Sequence, residues 1–182
     1  VLHTEGLSER GGQVAQGFAR QGAPVEVVSE GVMEAASDTQ NPQGLLAVLE
    51  ARLLPLPERL DFGLVIDGVR DPGNLGTLLR TAAAAGVQAA LLPPGNVDAW
   101  SPKVLRAAMG AHFRLPLRSL DWGSLSDLLY GLPLYLADAG GGLAYTQADL
   151  RQPLALMVGG EAAGAGEQGQ ALASHRLHIP MP

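Results

Sequence analysis

From Leu60 onward, short apolar runs alternate with stretches whose apolar positions recur at helical spacing. Residues 63–67, 89–92, 114–117, 133–137, 154–158 and 176–179 read as strands. Residues 75–85, 102–109, 125–129, 147–150 and 168–173 read as helices, the fourth only a turn long. The run Leu64-Val65-Ile66 has no polar alternate, so a strand made from it must be covered on both faces. The βαβα rhythm therefore predicts the α/β class: a mostly parallel sheet covered by helices. Helix 75–85 stops at Gly86, which can take the left-handed conformation of a helix end. Helix 102–109 has Ser101 as its expected N-cap, Pro102 in its first turn and Gly110 as its stop. Val104, Leu105 and Ala108 are placed toward the core, and Lys103 and Arg106, three apart, toward solvent.

The first third is patterned less clearly. A helix is expected at 14–20, a turn at Gly22-Ala23-Pro24 and a short strand at 25–28. A helix then runs from 31 into a loop at Asn41-Pro42-Gln43-Gly44, and 45–49 reads as another strand. Pro55 and Pro57 mark 53–60 as a linker. The division expected is 1–52, part of a small α/β N-terminal domain; the linker 53–60; and 61–182, the main domain.

Composition narrows the class. The 182 residues are 47% hydrophobic but only 4% aromatic, so the core must be mostly Leu, Val and Ala. No run approaches the length of a membrane-spanning helix, the start does not read as a signal peptide, and a cytoplasmic protein is expected. Absence of cysteine excludes a disulfide framework, a thiolate zinc site and a cysteine nucleophile from this segment. The net charge of −6 does not announce a nucleic-acid binder. Its distribution is more informative: 101–118 carries Lys103, Arg106, Arg114 and Arg118 and no acid. Such a patch can steer a polyanion although the whole chain is acidic.

Candidate chemistry collects where strands end. After strand 63–67 comes DGVRDPGNLGTLLRTAAAAG, residues 67–86, with Asp71-Pro72, then Asn74, then Arg80 on the following helix. Loops at the C-terminal edge of a parallel sheet are where α/β proteins hold ligands. Asn74 offers a donor and an acceptor, and Arg80 a permanent planar fork. Strand 154–158 runs into Gly159-Gly160-Glu161, with Gly164 beyond. Glycines permit close approach of a ligand, and the carboxylate can accept hydrogen bonds. The last strand closes on Ile179-Pro180-Met181.

These three motifs, in this order, resemble the SpoU/TrmH family of RNA methyltransferases. The stretch SPKVLRAAMGAHFRLP, residues 101–116, is similar to a family segment near the active site. SDTQNPQGLLAV, residues 37–48, resembles part of a ribosomal-protein-like N-terminal domain that holds substrate RNA. The resemblance implies transfer of a methyl group from S-adenosyl-L-methionine to a ribose 2′-hydroxyl. Ribosomal RNA is favoured over transfer RNA because of that N-terminal piece. It also implies a C-terminal trefoil knot, which pattern reasoning would not propose, and a homodimer. No membrane and no metal are required.

By the same resemblance Asn74, Arg80 and Glu161 are the catalytic candidates. Ala137, Asp138, Gly159, Gly160, Ile179, Pro180 and Met181 are the cofactor candidates, and Arg70, Lys103, Arg106 and Arg114 the RNA contacts. A guanidinium stays protonated at ordinary pH, so Arg80 is expected to grip phosphate or a developing alkoxide rather than act as a base. The family's second motif is altered here by Ala162, Ala163 and Ala165. Its third motif is expected to continue beyond Pro182 with Ser-Leu-Asn, because a chain opening at Val1 reads as a piece of a longer protein. Two alternatives remain. A nucleotide-dependent oxidoreductase would need G-x-G-x-x-G after the first strand, and residues 67–80 lack it. A non-catalytic RNA-binding relative would keep the fold without methyl transfer.

Overall fold

The computed structural model describes residues 1–180. The chain divides into two compact units, Val1–Arg52 and Leu53–Pro182.

The first unit holds β1 (Leu2–His3), α1 (Glu9–Arg20), β2 (Glu26–Val27), α2 (Glu30–Ala36) and β3 (Leu45–Leu46). β1 lies between β2, to which it is parallel, and β3, to which it is antiparallel. Serines open both helices: Ser8 accepts from the Gly11 amide at 3.2 Å and Ser29 from Val32 at 3.4 Å. The strands expected at 25–28 and 45–49 pair over two residues each, and β1 was not expected. Two paired residues are too few to leave an alternating pattern.

The second unit is built on β4 (Phe62–Asp67), α3 (Pro72–Ala84), β5 (Ala89–Leu92), α4 (Pro102–Ala107), β6 (Leu117–Ser119), α5 (Trp122–Leu128), β7 (Leu134–Ala137), β8 (Leu143–Ala144), β9 (Leu154–Gly159), α6 (Glu167–Leu172) and β10 (His175–His178). Its seven strands form one sheet in the order β6-β5-β4-β9-β7-β10-β8, every pair parallel. Successive residues face opposite sides. Leu64, Ile66, Ala90 and Leu92 pack with Leu75 and Leu79 from α3, Val104 from α4 and Ala108 just beyond it. Val65, Leu91, Leu136 and Met157 pack with Leu125 and Leu129 from and beside α5. Each large aliphatic so buried contributes roughly 1.5–3 kcal/mol. Leu56 and Leu60, from the expected linker, pack on the second of these faces. The Leu54 carbonyl also accepts from Arg118 at 2.6 Å.

Three expectations are corrected. Residues 111–113 form a 3₁₀ turn, so the strand placed at 114–117 begins only at Leu117. The single turn expected at 147–150 is a 3₁₀ turn at 145–147. Leu105, expected in the core, is 40% exposed, because α4 ends at Ala107 and turns a narrower face inward.

α3 and α4 pack closely because Gly76 has no side chain. A Cβ there would meet the Ala107 methyl, with the Ala108 nitrogen and the Val104 oxygen each 2.9 Å away. This contact brings the basic face of α4 beside the start of α3.

Candidate active site

β4, β9 and β7 are neighbours, and their registers pair Asp67 with Gly159 and Ala137 with Val158. Their C-terminal ends therefore lie side by side. The loops that follow, near 68–71, 160–166 and 138–142, share one edge of the sheet.

The loop at 160–166 is tied at three points to the end of β4, the residue after it and the first turn of α3. Gly160 and Gly164 bond each other through both backbone pairs, at 3.0 and 2.9 Å, which folds the loop back on itself. A Cβ on Gly160 would strike the Gly68 carbonyl oxygen, so the two backbones touch at that glycine. The Glu161 carboxylate accepts from the Asn74 amide at 2.8 Å. The buried Asp67 carboxylate accepts from the Gly166 amide at 2.7 Å.

Asn74 is available for this bond because another residue opens its helix. Asp71 is the N-cap of α3: its carboxylate accepts from the Asn74 backbone amide at 2.8 Å, and Pro72 fills the first turn. The Asn74 side chain is thus free to reach Glu161. The Asn74 amide, chiefly, holds the Glu161 carboxyl below the usual glutamate value, with backbone amides of its own loop and of Arg70 and Asp71 adding to it. A carboxylate with a depressed pKa stabilises its contact above the unfolded value and loses that stabilisation as pH falls through the folded one. The clamp therefore holds at neutral pH and opens below the ordinary carboxylate range. In Asn74→Ala the Glu161 titration midpoint should move up. Carbon-13 NMR of the side-chain carboxyl in the two proteins reads this directly, and an unmoved midpoint would exclude the assigned cause.

One concavity of about 370 Å³ is lined by residues 136–139 and by Gly159, Gly160, Glu161, Ala163, Gly164, Ala165 and Gln170. It brings together Ala137, Asp138, Gly159 and Gly160. Asp138 accepts from the Gly140 amide at 2.8 Å, the larger influence, and from Arg176 at 2.8 Å, and both hold its carboxyl below the usual aspartate range. Arg176 also donates to Gln170 at 3.2 Å, and Gln170 donates to the Ala165 carbonyl at 2.8 Å. Ile179 and Pro180 follow β10 at this edge but are exposed and do not line the cavity. Met181 lies outside the described residues.

A second concavity of about 500 Å³ lies between the start of α3 and α4. Asp71, Pro72, Gly73, Lys103, Arg106 and Ala107 line it. Lys103 and Arg106 do share an exposed face. Arg70 and Arg114 are exposed but do not line this groove. His112 is a packed residue. It is 5% exposed, bonded through Nε2 to the Ala99 carbonyl at 2.7 Å and set 5.0 Å from the Trp100 ring.

Asn74 and Glu161 meet, and Arg80 has no bond to either. Asn74 and Arg80, six residues apart, are separated by about 120° around α3 and about 9 Å along it. Arg80 instead follows Gly73, within about 20° of it, on the groove side. Its guanidinium has no hydrogen bond or ion pair among the described residues. The first turn of α3 therefore divides two concavities. Glu161, bonded to Asn74, lines the cavity and Gly73 lines the groove; Asn74 and Arg80 line neither, and Arg80 follows the Gly73 face of the helix.

Residues 61–182 match the model of the SpoU rRNA Methylase family. The chain belongs to that family. Mitochondrial rRNA methyltransferase 3 of Xenopus tropicalis is 49% identical over 112 residues, 56% of this chain and 27% of that protein. The 23S rRNA (guanosine(2553)-2′-O)-methyltransferase RlmP of Bacillus subtilis is 35% identical over 157 residues, 85% of this chain and 63% of that protein. The crystal structure of an AdoMet-bound rRNA methyltransferase from Sinorhizobium meliloti superposes with a TM-score of 0.83 at 28% identity, over 100% of this chain and 70% of that one. The chain thus spans about a quarter of the length of the mitochondrial relative and under two thirds of the Bacillus one.

Sequence reasoning missed Asp67, Asn96, Gln170 and Arg176 in this SpoU site. Asn96 braces the loop after β4 by donating to the Ile66 and Pro93 carbonyls and accepting from the Val69 amide, at 2.7 to 2.8 Å. Asp67 left one signal, an acid closing an otherwise apolar strand. The other three left none, because no local pattern marks a side chain that braces a loop: Asn96 reaches the end of β4 across 30 residues and Arg176 reaches Asp138 across 38.

Proposed function

We propose that this protein transfers a methyl group from S-adenosyl-L-methionine to a ribose 2′-hydroxyl in RNA, with ribosomal RNA its substrate and a homodimer its working form. The observation that carries the proposal is the division made by the first turn of α3. A backbone-lined cavity stands on one side and a basic groove on the other.

The cavity suits the cofactor. Its volume is in the range of small-molecule sites, and its walls are backbone and small side chains open to a flat base. Asp138 has lone pairs left to accept from sugar hydroxyls after its two present bonds. Asp138 and Glu161 give it two carboxylates, which suit a cationic ligand. Ile179, Pro180 and Met181, which follow β10, supply apolar contacts in this proposal. The placement of β10 between β7 and β8 supports the knot that the family resemblance implies.

When bound, S-adenosylmethionine supplies a methyl carbon already activated by its sulfonium. The protein's own work is alignment and charge. Lys103 and Arg106 hold the RNA backbone in the groove, with Arg70 and Arg114 at its margins. Arg80 donates to the phosphate or to the ribose oxygen as negative charge develops there. Asn74 and Glu161 hold the loop so that the ribose oxygen meets the methyl carbon in line. The methyl group would pass from the sulfonium sulfur to the ribose oxygen, and the hydroxyl proton would leave to solvent water.

The test is methyl transfer by the full-length protein from radiolabelled cofactor to ribosomal and, separately, transfer RNA of its own source. Label at one nucleotide that resists alkaline cleavage would mark a ribose 2′-O-methyl group and name the substrate. Cofactor binding without label in either RNA would overturn the ribosomal assignment. Neither binding nor label would favour a non-catalytic RNA-binding relative.

A further inference from the structure

Leu105, Met109 and Phe113 are exposed apolar side chains on the segment that carries the basic groove wall. They are four residues apart, and Met109 and Phe113 are 66% and 70% exposed. The local backbone presents them outward. The opposite side of the segment buries Val104, Ala108, Ala111, His112 and Leu115. The chain is then carried around by a left-handed Met109 (φ 50°) and a left-handed Gly110 (φ 82°), the latter leading into the turn that bears Phe113. A left-handed conformation at a bulky non-glycine residue is unusual, and here it is held while both side chains stand in solvent.

The surroundings are basic. Lys103, Arg106 and Arg114 are exposed, and residues 99–120 contain no acid. Apolar and aromatic side chains interleaved with cations are the surface that unpaired nucleic acid selects: cations follow the phosphates and the ring takes a base face. A second copy is a poor occupant. A two-fold interface here would set each copy's Arg106 and Arg114 against the same patch of the other.

We propose that Phe113 is a stacking platform for an unpaired base of the RNA whose backbone lies in the Lys103–Arg106 groove. The inference rests on the reading of that groove as an RNA site. It adds a contact that selects single-stranded substrate without reading its sequence.

Stacking and phosphate contacts have different salt signatures. A lost phosphate contact reduces the slope of affinity against salt, whereas a lost stack releases no counterions. The probes are fluorescent 12-nucleotide oligoadenylate and oligouridylate RNAs, titrated with the full-length protein at several salt concentrations. Phe113→Ala should bind oligoadenylate about tenfold more weakly at every salt, with the slope unchanged. Phe113→Tyr should bind like wild type. Lys103→Ala should flatten the slope. Equal binding by wild type and Phe113→Ala, with Lys103→Ala weakened, would overturn the platform and leave the groove standing. No binding by wild type would overturn the groove reading itself. Loss of a dimer in Phe113→Ala, seen by sedimentation, would overturn the platform in favour of a contact between copies. Phe113 is largely solvated, so its substitution should leave the melting temperature in place.

Discussion

Arg80→Ala should lower kcat/KM for RNA methylation by about 10²- to 10³-fold, the usual cost of removing one preorganised donor from developing negative charge. Its affinity for S-adenosylmethionine should not change. The contrast follows from where the guanidinium stands. Arg80 is on the α3 face that continues from Gly73 and the basic groove. The cavity is reached from the other side, through Asn74 and Glu161. Arg80 makes no bond among the described residues that its loss would break, so the fold should be indifferent to the substitution. Arg80→Lys should recover only part of the rate. Lysine restores charge but not the planar fork that two oxygens can share. Calorimetric titration of the cofactor and steady-state rates on RNA separate the two effects. If cofactor affinity falls in parallel with the rate, Arg80 belongs to the cavity and the division made by α3 is wrong.

Gly160→Ala should have the opposite signature and act through geometry alone. The added methyl would strike the Gly68 carbonyl oxygen and lie 3.0 Å from the Gly68 carbonyl carbon. Both are backbone atoms at the end of a central strand, so neither can rotate aside. The loop must move, and with it the Glu161–Asn74 and Gly166–Asp67 bonds and the cavity wall. Overpacking of this kind costs about 1–3 kcal/mol. Cofactor affinity should fall by at least about tenfold, which corresponds to about 1.4 kcal/mol. Gly12→Ala is the contrast. That glycine is inside α1 with open space around its Cβ position, and alanine there should be neutral or mildly stabilising. Chemical denaturation and cofactor titration of both variants check this. A Gly160→Ala protein with wild-type affinity would show that the loop is not held where its contacts place it.

Much of the fold was legible because the signals are local. The run Leu64-Val65-Ile66 predicts a strand buried on both faces, and β4 is that strand. Gly86 stops α3 as expected, but the helix opens at Pro72 with Asp71 as its cap, three residues ahead of the expected start at 75. Prediction failed where the pattern was faint or misleading. Residues 111–115 alternate apolar and polar types as a strand would, but 111–113 turn as a 3₁₀ helix that buries Ala111 and His112 side by side. Ser101 stands at the N-cap of α4 as expected, yet its hydroxyl makes no capping bond and is buried without a partner. Serine there satisfies the extended backbone of a cap but not its usual bond.

The candidate site divides the same way. The residue types at Asn74, Arg80, Gly159, Gly160 and Glu161 are written in the chain, because loops after parallel strands must carry the groups that meet a ligand. Sequence alone determined the strand–loop–helix units and the acid-free stretch around Lys103 and Arg106. Which loops meet was decided by the tertiary structure. β9 inserts beside β4, and only that pairing sets Glu161 against Asn74 across 87 residues. Hydrophobic periodicity records which face of a strand is buried. It carries no information about which strand lies next to which, because parallel neighbours at any separation in the chain satisfy the same backbone hydrogen bonds and bury the same aliphatic surface.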